Sequence, residues 1–158
     1  MIVELKKDTI AAALAYPGSI SLVYASHKRP GGGYRNHERG QEEFIARRTN
    51  LVESLQPHLH LYGDNTKPFY IILSLIVSGK DLRDFIVAPA PLAHLYADPK
   101  AEMELRVREV CKRVTQYPVF ITGPWGAGFF GNDRDHVLGL FRKYATNETV
   151  VFAIPERN

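Results

Sequence analysis

The stretch Ile20-Ser-Leu-Val-Tyr-Ala-Ser-His-Lys-Arg-Pro-Gly-Gly-Gly33, followed seven residues later by Gln41-Glu-Glu43, decides the fold prediction. Residues 20–25 are rich in β-forming side chains and predict a strand. A loop with one proline and three consecutive glycines follows, and apolar residues at helical spacing then predict a helix over 40–55. The segment therefore indicates a strand–loop–helix unit whose loop carries unusual backbone freedom.

The same alternation continues on both sides of this unit. Asp8 is the expected cap of the helix over 9–15, and Asp98-Pro99 is the expected start of the longest helix, which carries a buried stripe. The residues of that stripe are Leu105, Val107, Val110, Cys111 and Val114. The predicted strands are 2–5, 20–25, 69–77, 85–88, 119–122 and 149–154, and the predicted helices are 9–15, 40–55, the segment from 98 to before Pro118, and 133–144. This order predicts an α/β fold with a mixed, largely parallel sheet, and we expect one domain over 1–158.

Composition narrows the classes of protein to consider. The 158 residues are 45% hydrophobic and 23% charged, as in a soluble globular chain. Cys111 is the only cysteine, which excludes an intrachain disulfide and favours a reducing, cytoplasmic location. No apolar run is long enough to cross a bilayer, so we expect no membrane association. The net charge of +3 does not favour nucleic-acid binding, and we expect no sequence-specific nucleic-acid partner.

The positive charge is concentrated around the first glycine-rich loop. Residues 27–48 hold six Lys or Arg and three Glu, an excess of +3 that equals the excess of the whole chain. A local field of this sign favours a phosphate-bearing ligand.

A second glycine-rich loop, Gly123-Pro-Trp-Gly-Ala-Gly-Phe-Phe-Gly131, lies between a predicted strand and a predicted helix. Successive backbone amides at a helix N-terminus form an anion site, and ligands of open α/β sheets bind beyond the carboxyl ends of strands. Phe129 and Phe130 could add an apolar surface for a base or a sugar. The alternative is that each loop is only a tight turn. Neither loop has the spacing of a triphosphatase P-loop or of a dinucleotide-binding Rossmann motif.

Glu42 and Glu43 are adjacent carboxyls at the start of the helix that follows the first loop. A carboxylic acid held in a cleft near negative charge is suited to protonate a departing glycosidic oxygen. The alternative is structural, because acidic residues favour the first turn of any helix and Glu43 could pair with Arg47. His58-Leu-His60 lacks a third metal ligand, so no metal is expected. Cys111 and Trp125 are expected to be packing residues.

The spaced Pro30-Gly-Gly-Gly33 and Gln41-Glu-Glu43 pair resembles the signature of poly(ADP-ribose) glycohydrolases, and the chain resembles their short microbial branch. The resemblance extends over nearly the whole chain. The other segments in the family's order are Asp8-Thr-Ile-Ala-Ala, Ala25-Ser26, Arg48-Thr-Asn-Leu51, Ala88-Pro-Ala-Pro91, Gly123 to Asn132 and Val150-Val-Phe-Ala-Ile154. The resemblance implies a three-layer α/β/α macrodomain-like fold.

The resemblance also implies a reaction and roles for residues. The ligand would be ADP-ribose, free or on a protein or polymer, and the reaction would be hydrolysis of its O-glycosidic ribose bond without a cofactor or metal. Glu43 would protonate the leaving oxygen and then help to activate water, and Glu42 would orient the ribose and the acid. The implied ligand-binding residues are Gly31, Gly32, Gly33, Gln41, Gly126, Ala127, Gly128, Phe129 and Phe130.

The chain departs from the family pattern at three asparagine positions, which are Val23, Arg29 and Leu92 here, and Phe129 replaces a small residue. Such asparagines help to grip the distal ribose, so substrate choice is open, and Arg29 could compensate by binding a phosphate. Three hypotheses follow: an ADP-ribosyl hydrolase, a reader that binds ADP-ribose or a related nucleotide without turnover, and an unrelated nucleotide-binding module.

Overall fold

A computed structural model describes residues 1–156, and 157–158, the end of the predicted domain, lie outside the described residues. Six strands form one sheet in the order β1-β6-β5-β2-β4-β3. Among the strands of residues 1–156, only the β3–β4 pair is antiparallel, which confirms the predicted mixed, largely parallel sheet. The strands are β1 (Ile2–Leu5), β2 (Ile20–Tyr24), β3 (Ile71–Ser78), β4 (Asp81–Ala88), β5 (Val119–Thr122) and β6 (Thr149–Ala153).

Helices cover both faces of this sheet, as the three-layer prediction requires. The helices are α1 (Thr9–Ala15), α2 (Gln41–Arg48), α3 (Leu51–Leu55), α4 (Pro99–Arg113) and α5 (Arg134–Tyr144), with short 3-10 turns at Tyr34–Asn36, Gln56–Leu61 and Ala93–Leu95. One core packs α1, α2 and α3 against residues such as Val23 and Val87. The other packs α4 and α5 against the alternate residues Leu22 and Ile86. Successive side chains of β2 and β4 point to opposite faces of the sheet, so each strand contributes residues to both cores.

The predicted helix over 40–55 is wrong as a continuous element. Thr49 has extended backbone, its hydroxyl donates to the carbonyl of Ile45 at 2.8 Å, and it accepts from the amide of Leu51 at 3.2 Å. The side chain of Asn50 leaves the helix and accepts from the amide of Ile76 on β3 at 2.9 Å. The local bonds of Thr49 interrupt the helix, and the bond from Asn50 to β3 holds the chain in that position.

The predicted helix caps are confirmed, whereas the predicted buried face of α4 is only partly right. Asp8 and Asp98 cap α1 and α4 by accepting from the amides of Ala11 and Ala101, as predicted. In α4 the predicted stripe is right from Val107 onward, but Leu105 is 58% exposed. The space next to the core is instead taken by Met103 and Arg106, one turn apart. No helix among residues 1–156 is long and apolar enough to span a membrane.

Candidate functional site

The two glycine-rich loops line a single cleft of about 530 Å³. They follow β2 and β5, which are parallel neighbours, so both loops emerge at the carboxyl edge of the sheet. Glu42 and Glu43 also line the cleft. The structure thus brings both glycine-rich loops and the paired carboxyls to one cleft.

Glu42 is buried and held by main-chain amides on both of its oxygens. Oε1 accepts from the amide of Ser26 at 2.8 Å, and Oε2 accepts from the amide of Gly31 at 3.1 Å. Burial raises the pKa of Glu42 to about 8, with the charge of Glu43 adding to the rise and the two amides opposing it. With both oxygens occupied, Glu42 couples the end of β2 to the tri-glycine loop.

Glu43 is half-buried and reaches into the cleft. Its Oε2 accepts from the amide of Gly33 at 3.1 Å, while no described residue donates to Oε1. A Cβ on Gly32 or Gly40 would overlap the Glu43 carboxylate, so both positions need glycine to admit it. Glu43 is therefore anchored by one oxygen and has the other available.

The structural alternative for Glu43 predicted an ion pair with Arg47. Arg47 instead donates through Nε and Nη2 to the carbonyl of Tyr34, at 3.2 and 3.0 Å. Within residues 1–156 no ion pair joins it to Glu43.

The tri-glycine loop uses its amides internally. Gly31 and Gly33 donate to Glu42 and Glu43, and Gly32 donates to the carbonyl of Arg29 at 3.1 Å. Gly31 and Gly32 have φ of +80° and +55°, a conformation that glycine adopts readily. The prediction that these amides point at a ligand is therefore wrong for this loop, because the amides of Gly31 and Gly33 donate to the two carboxyls. Ligand contact with this loop is left to the surfaces of Gly32 and Gly33 that border the cleft.

The second loop differs, because several of its amides have no acceptor. Ala127 donates to the carbonyl of Pro124 at 3.1 Å. No acceptor in the described part of the chain receives the amides of Gly126, Gly128, Phe129 and Phe130. Free amides clustered in one loop before a helix are suited to an anion such as a pyrophosphate.

Trp125 anchors that loop, as predicted. Its ring is fully buried and Nε1 donates to the carbonyl of Ala88 at 3.1 Å. Asn132 adds a second tie, since its side-chain amide donates to the carbonyls of Pro91 and Gly126 at 2.8 and 2.9 Å. The free amides therefore belong to a loop that is fixed at both ends.

The two phenylalanines of the loop differ in setting. Phe129 is 94% exposed at the rim of the cleft. Phe130 is half-buried and meets the ring of His27 edge to face, with centroids 6.0 Å apart. An apolar surface is present, and Phe130 is its fixed part.

Gln41 connects the start of α2 to the sheet. Its Oε1 accepts from the amide of Tyr24 at 2.8 Å, and its Nε2 donates to the carbonyl of Leu22 at 2.8 Å and to the hydroxyl of Thr9 at 3.0 Å. This side chain fixes the position from which Glu42 and Glu43 project. Its predicted contact with a ligand stays a prediction.

Sequence reasoning missed two buried polar residues behind the cleft. Asn65 donates to the carbonyl of Ala90 at 2.9 Å and accepts from the amide of Leu92 at 2.9 Å. Arg106 is 1% exposed and donates to the carbonyls of Pro89 and Asn65 at 3.2 and 2.6 Å. Burial of Arg106 could have been inferred from its position on the apolar side of α4, between Met103 and Val107. Asn65 carried no comparable signal.

The remaining candidates have structural settings. Cys111 is buried in the α4 core, and burial raises the pKa of its thiol to about 12. Across residues 1–156 no group of three or more His, Cys, Asp or Glu could hold a metal ion. Val23 lies inside the α1–α3 core and Leu92 is 8% exposed, so neither presents a polar group to the cleft.

Part of the chain is similar to a known protein family. Residues 4–76 match the family model of the microbial-type PARG catalytic domain, where PARG is poly(ADP-ribose) glycohydrolase. No curated protein matches the chain significantly.

Solved structures of bacterial poly(ADP-ribose) glycohydrolases share the fold. The enzyme from Thermomonospora curvata bound to the inhibitor ADP-HPD is 25% identical, with a TM-score of 0.80 over 97% of this chain and 72% of that chain. The enzyme from Deinococcus radiodurans in complex with ADP-ribose is 26% identical, with a TM-score of 0.76 over 100% of this chain and 78% of that chain.

Proposed function

We propose that this chain hydrolyses the O-glycosidic ribose bond of ADP-ribosylated substrates. The match of residues 4–76 to the microbial-type poly(ADP-ribose) glycohydrolase model and the similarity of fold to bacterial enzymes of that name support the proposal. The observation that carries the proposal is the setting of Glu43. One of its oxygens is fixed by the amide of Gly33, and the other is open to the same cleft that the free amides of the second loop border.

The free amides of the second loop and the phosphate chemistry of ADP-ribose fit each other. A pyrophosphate held on the amides of Gly126, Gly128 and Phe129 would bring its attached ribose across the cleft toward α2. Phe130 offers its ring to an apolar face of the ligand. The bound diphosphate also stabilises positive charge that develops on the sugar in an oxocarbenium-like transition state.

Glu43 supplies the proton transfer. Its Oε1 donates a proton to the leaving oxygen as the bond from that oxygen to the anomeric carbon breaks. The resulting carboxylate accepts a proton from water, whose oxygen forms the new bond to the anomeric carbon. Each turnover consumes one water and restores the proton on Glu43. No step requires a metal ion or a cofactor.

Glu42 and Gln41 act through Glu43 in this scheme. Glu42 holds the tri-glycine loop against α2, and Gln41 holds α2 against β2. Both are positioning residues for the acid. We further propose that this activity is cytoplasmic.

A reader that binds ADP-ribose without turnover is the second candidate. It is favoured by the apolar side chains of Val23 and Leu92, which provide no hydrogen bond to grip the distal ribose. A nucleotide-binding module of another kind is the third hypothesis.

The test uses an ADP-ribosylated protein as substrate and compares the parent with Glu43→Gln. The control is Glu53→Gln, the same change at an exposed residue of α3. We expect the parent and the control to release ADP-ribose and Glu43→Gln to lose at least about 100-fold in rate, because a general acid contributes about that much. Isothermal titration should show ADP-ribose binding by all three proteins.

The other outcomes are distinct. Binding by all three proteins without release by any establishes the reader. Absence of ADP-ribose binding by the parent refutes both and leaves the other nucleotide-binding module.

A further inference from the structure

His27 is a cleft residue that the reaction scheme above does not use. It is 8% exposed and borders the cleft. Its ring lies at 85° to the ring of Phe130, with centroids 6.0 Å apart, and its carbonyl accepts from the amide of Gly63 at 2.7 Å. The backbone and the ring of His27 are therefore both held in place beside the apolar surface of the cleft.

Asn65 determines which ring nitrogen of His27 carries the proton. The Asn65 amide is oriented by two backbone groups, since Nδ2 donates to the carbonyl of Ala90 at 2.9 Å and Oδ1 accepts from the amide of Leu92 at 2.9 Å. Nδ2 also lies 3.4 Å from Nδ1 of His27 and has a second hydrogen to donate. Because a donor faces Nδ1, Nδ1 is the acceptor, and the neutral ring carries its proton on Nε2.

The charges around His27 favour this neutral ring. Burial lowers the pKa of His27, and the cations of Lys28 and Arg106 lower it further, while Asp64 has the opposite effect. At pH 7 the ring is therefore uncharged, and Nε2 has one hydrogen to donate.

Nε2 of His27 is available for an external partner. Within residues 1–156 no hydrogen bond reaches Nε2, and it is not one of the fully buried polar atoms that lack a partner, so solvent reaches it. The two nitrogens lie on opposite sides of the ring. Because Nδ1 is turned toward Asn65, behind the cleft, Nε2 is turned toward the cleft itself.

We propose that Nε2–H of His27 donates a hydrogen bond to a hydroxyl of the ribose on which Glu43 acts, and that His27 thereby selects ligands that carry this ribose. This inference rests on the proposed function. It assigns to His27 a role in specificity, beside the acid and its positioning residues.

The neighbours of His27 favour a sugar hydroxyl over a phosphate as the acceptor. The preceding residue, Ser26, donates its amide to Glu42 at 2.8 Å, so His27 lies at the end of the cleft that holds the paired carboxyls. The free amides of the second loop already provide donors for a pyrophosphate. A polar group next to the apolar face of Phe130 is the usual way in which a pocket orients a ligand. Val23 and Leu92 supply no such bond, so His27 provides a donor that these two side chains lack.

The test measures binding of ADP-ribose and of ADP by titration calorimetry at pH 7. ADP has the same adenosine and pyrophosphate but lacks the second ribose. The variants are His27→Asn, whose polar atoms reach only the position of Nδ1, and His27→Gln, whose NH2 group reaches the position of Nε2. Both variants remove the ring, so loss of packing on Phe130 is common to them. The control is His60→Asn, at an exposed residue that does not border the cleft.

We expect His27→Asn to weaken ADP-ribose binding about fivefold, the usual effect of one hydrogen bond. His27→Gln should retain most of the affinity, and ADP should bind equally well to the parent and both variants. Equal losses in the two variants would overturn the proposal, because His27 would then only support Phe130. An equal loss for ADP and ADP-ribose would also overturn it, because the acceptor would not belong to the second ribose.

A measurement on the parent protein does not depend on how the variants fold. Nitrogen NMR of the His27 ring should show the proton on Nε2 and a change at Nε2 when ADP-ribose is added, but not when ADP is added. A proton on Nδ1, or the same response to both ligands, would contradict the inference. Absence of ADP-ribose binding by the parent would instead refute the proposed function and, with it, this inference.

Discussion

Replacing Glu42 with glutamine should remove the pH dependence of stability that arises at this buried position. Glu42 is 3% exposed, and its two oxygens accept from the amides of Ser26 and Gly31. Glutamine keeps one acceptor oxygen, but its NH2 group is a donor and cannot accept the hydrogen bond from the second backbone amide. A buried donor without a partner costs about 1–3 kcal/mol.

The negative charge that Glu42 carries at high pH lowers the stability of the parent, which offsets the cost of the glutamine substitution. Its pKa in the folded protein is about 8, against an ordinary value of 4.5. A carboxyl whose pKa is raised by folding stabilises the folded state below pH 4.5, and that stabilisation is lost as the pH rises toward 8. From the two pKa values, the loss is of order 5 kcal/mol.

We therefore expect Glu42→Gln to be less stable than the parent at pH 5 by about 1–3 kcal/mol, and the difference to vanish or change sign by pH 9. His27 opposes this trend in the parent, because burial lowers its pKa and its contribution grows as pH rises. That contribution is common to both proteins and cancels in the difference.

The assay is urea unfolding followed by circular dichroism at pH 5, 7 and 9, with Glu53→Gln as the exposed control. A difference between Glu42→Gln and the parent that is constant across these pH values would refute the reasoning, because it would mean that Glu42 keeps its ordinary pKa in the fold.

Three further predictions concern residues that shape or support the cleft. Gly126→Ala should cost about 2 kcal/mol and weaken ADP-ribose binding, because φ is +75° and the added Cβ would lie 2.6 Å from that of Ala90; unchanged unfolding would refute this. Gly139→Ala, at an exposed site with open space in α5, should instead raise the unfolding free energy by about 1 kcal/mol. Arg106→Met should cost about 3 kcal/mol in urea unfolding, because the carbonyls of Pro89 and Asn65 lose their donors; a loss below about 1 kcal/mol would show that these carbonyls find other partners.

The sequence predicted what depends on local pattern. The caps at Asp8 and Asp98 and most strand positions follow from residue type. The meeting of two loops at one sheet edge follows from the rule that parallel strands end together. The strand predicted over 85–88 is longer than expected, because β4 begins at Asp81. The break at Thr49 and Asn50 did not follow, because it depends on a bond from Asn50 to β3, 26 residues away along the chain.

The same limit applies to the site. The types of Glu42 and Glu43 suggested acid chemistry, but their anchoring by the amides of Gly31 and Gly33 depends on how a loop folds back over a helix. Arg106 lies beside the predicted apolar stripe of α4, but its buried bonds to the carbonyls of Pro89 and Asn65 were not predicted.

The bond from Asn50 to the amide of Ile76 has a consequence for how copies of this protein behave in concentrated solution. β3 is the outermost strand on its side, and Ile72 and Ile76 are 41% and 45% exposed there. Unprotected, such a border would recruit strands from other molecules and seed aggregates. Asn50 occupies one outward amide of β3, and the irregular register between Ile76 and Ser78 interrupts the row of backbone groups, so both features work against growth of the sheet at this border.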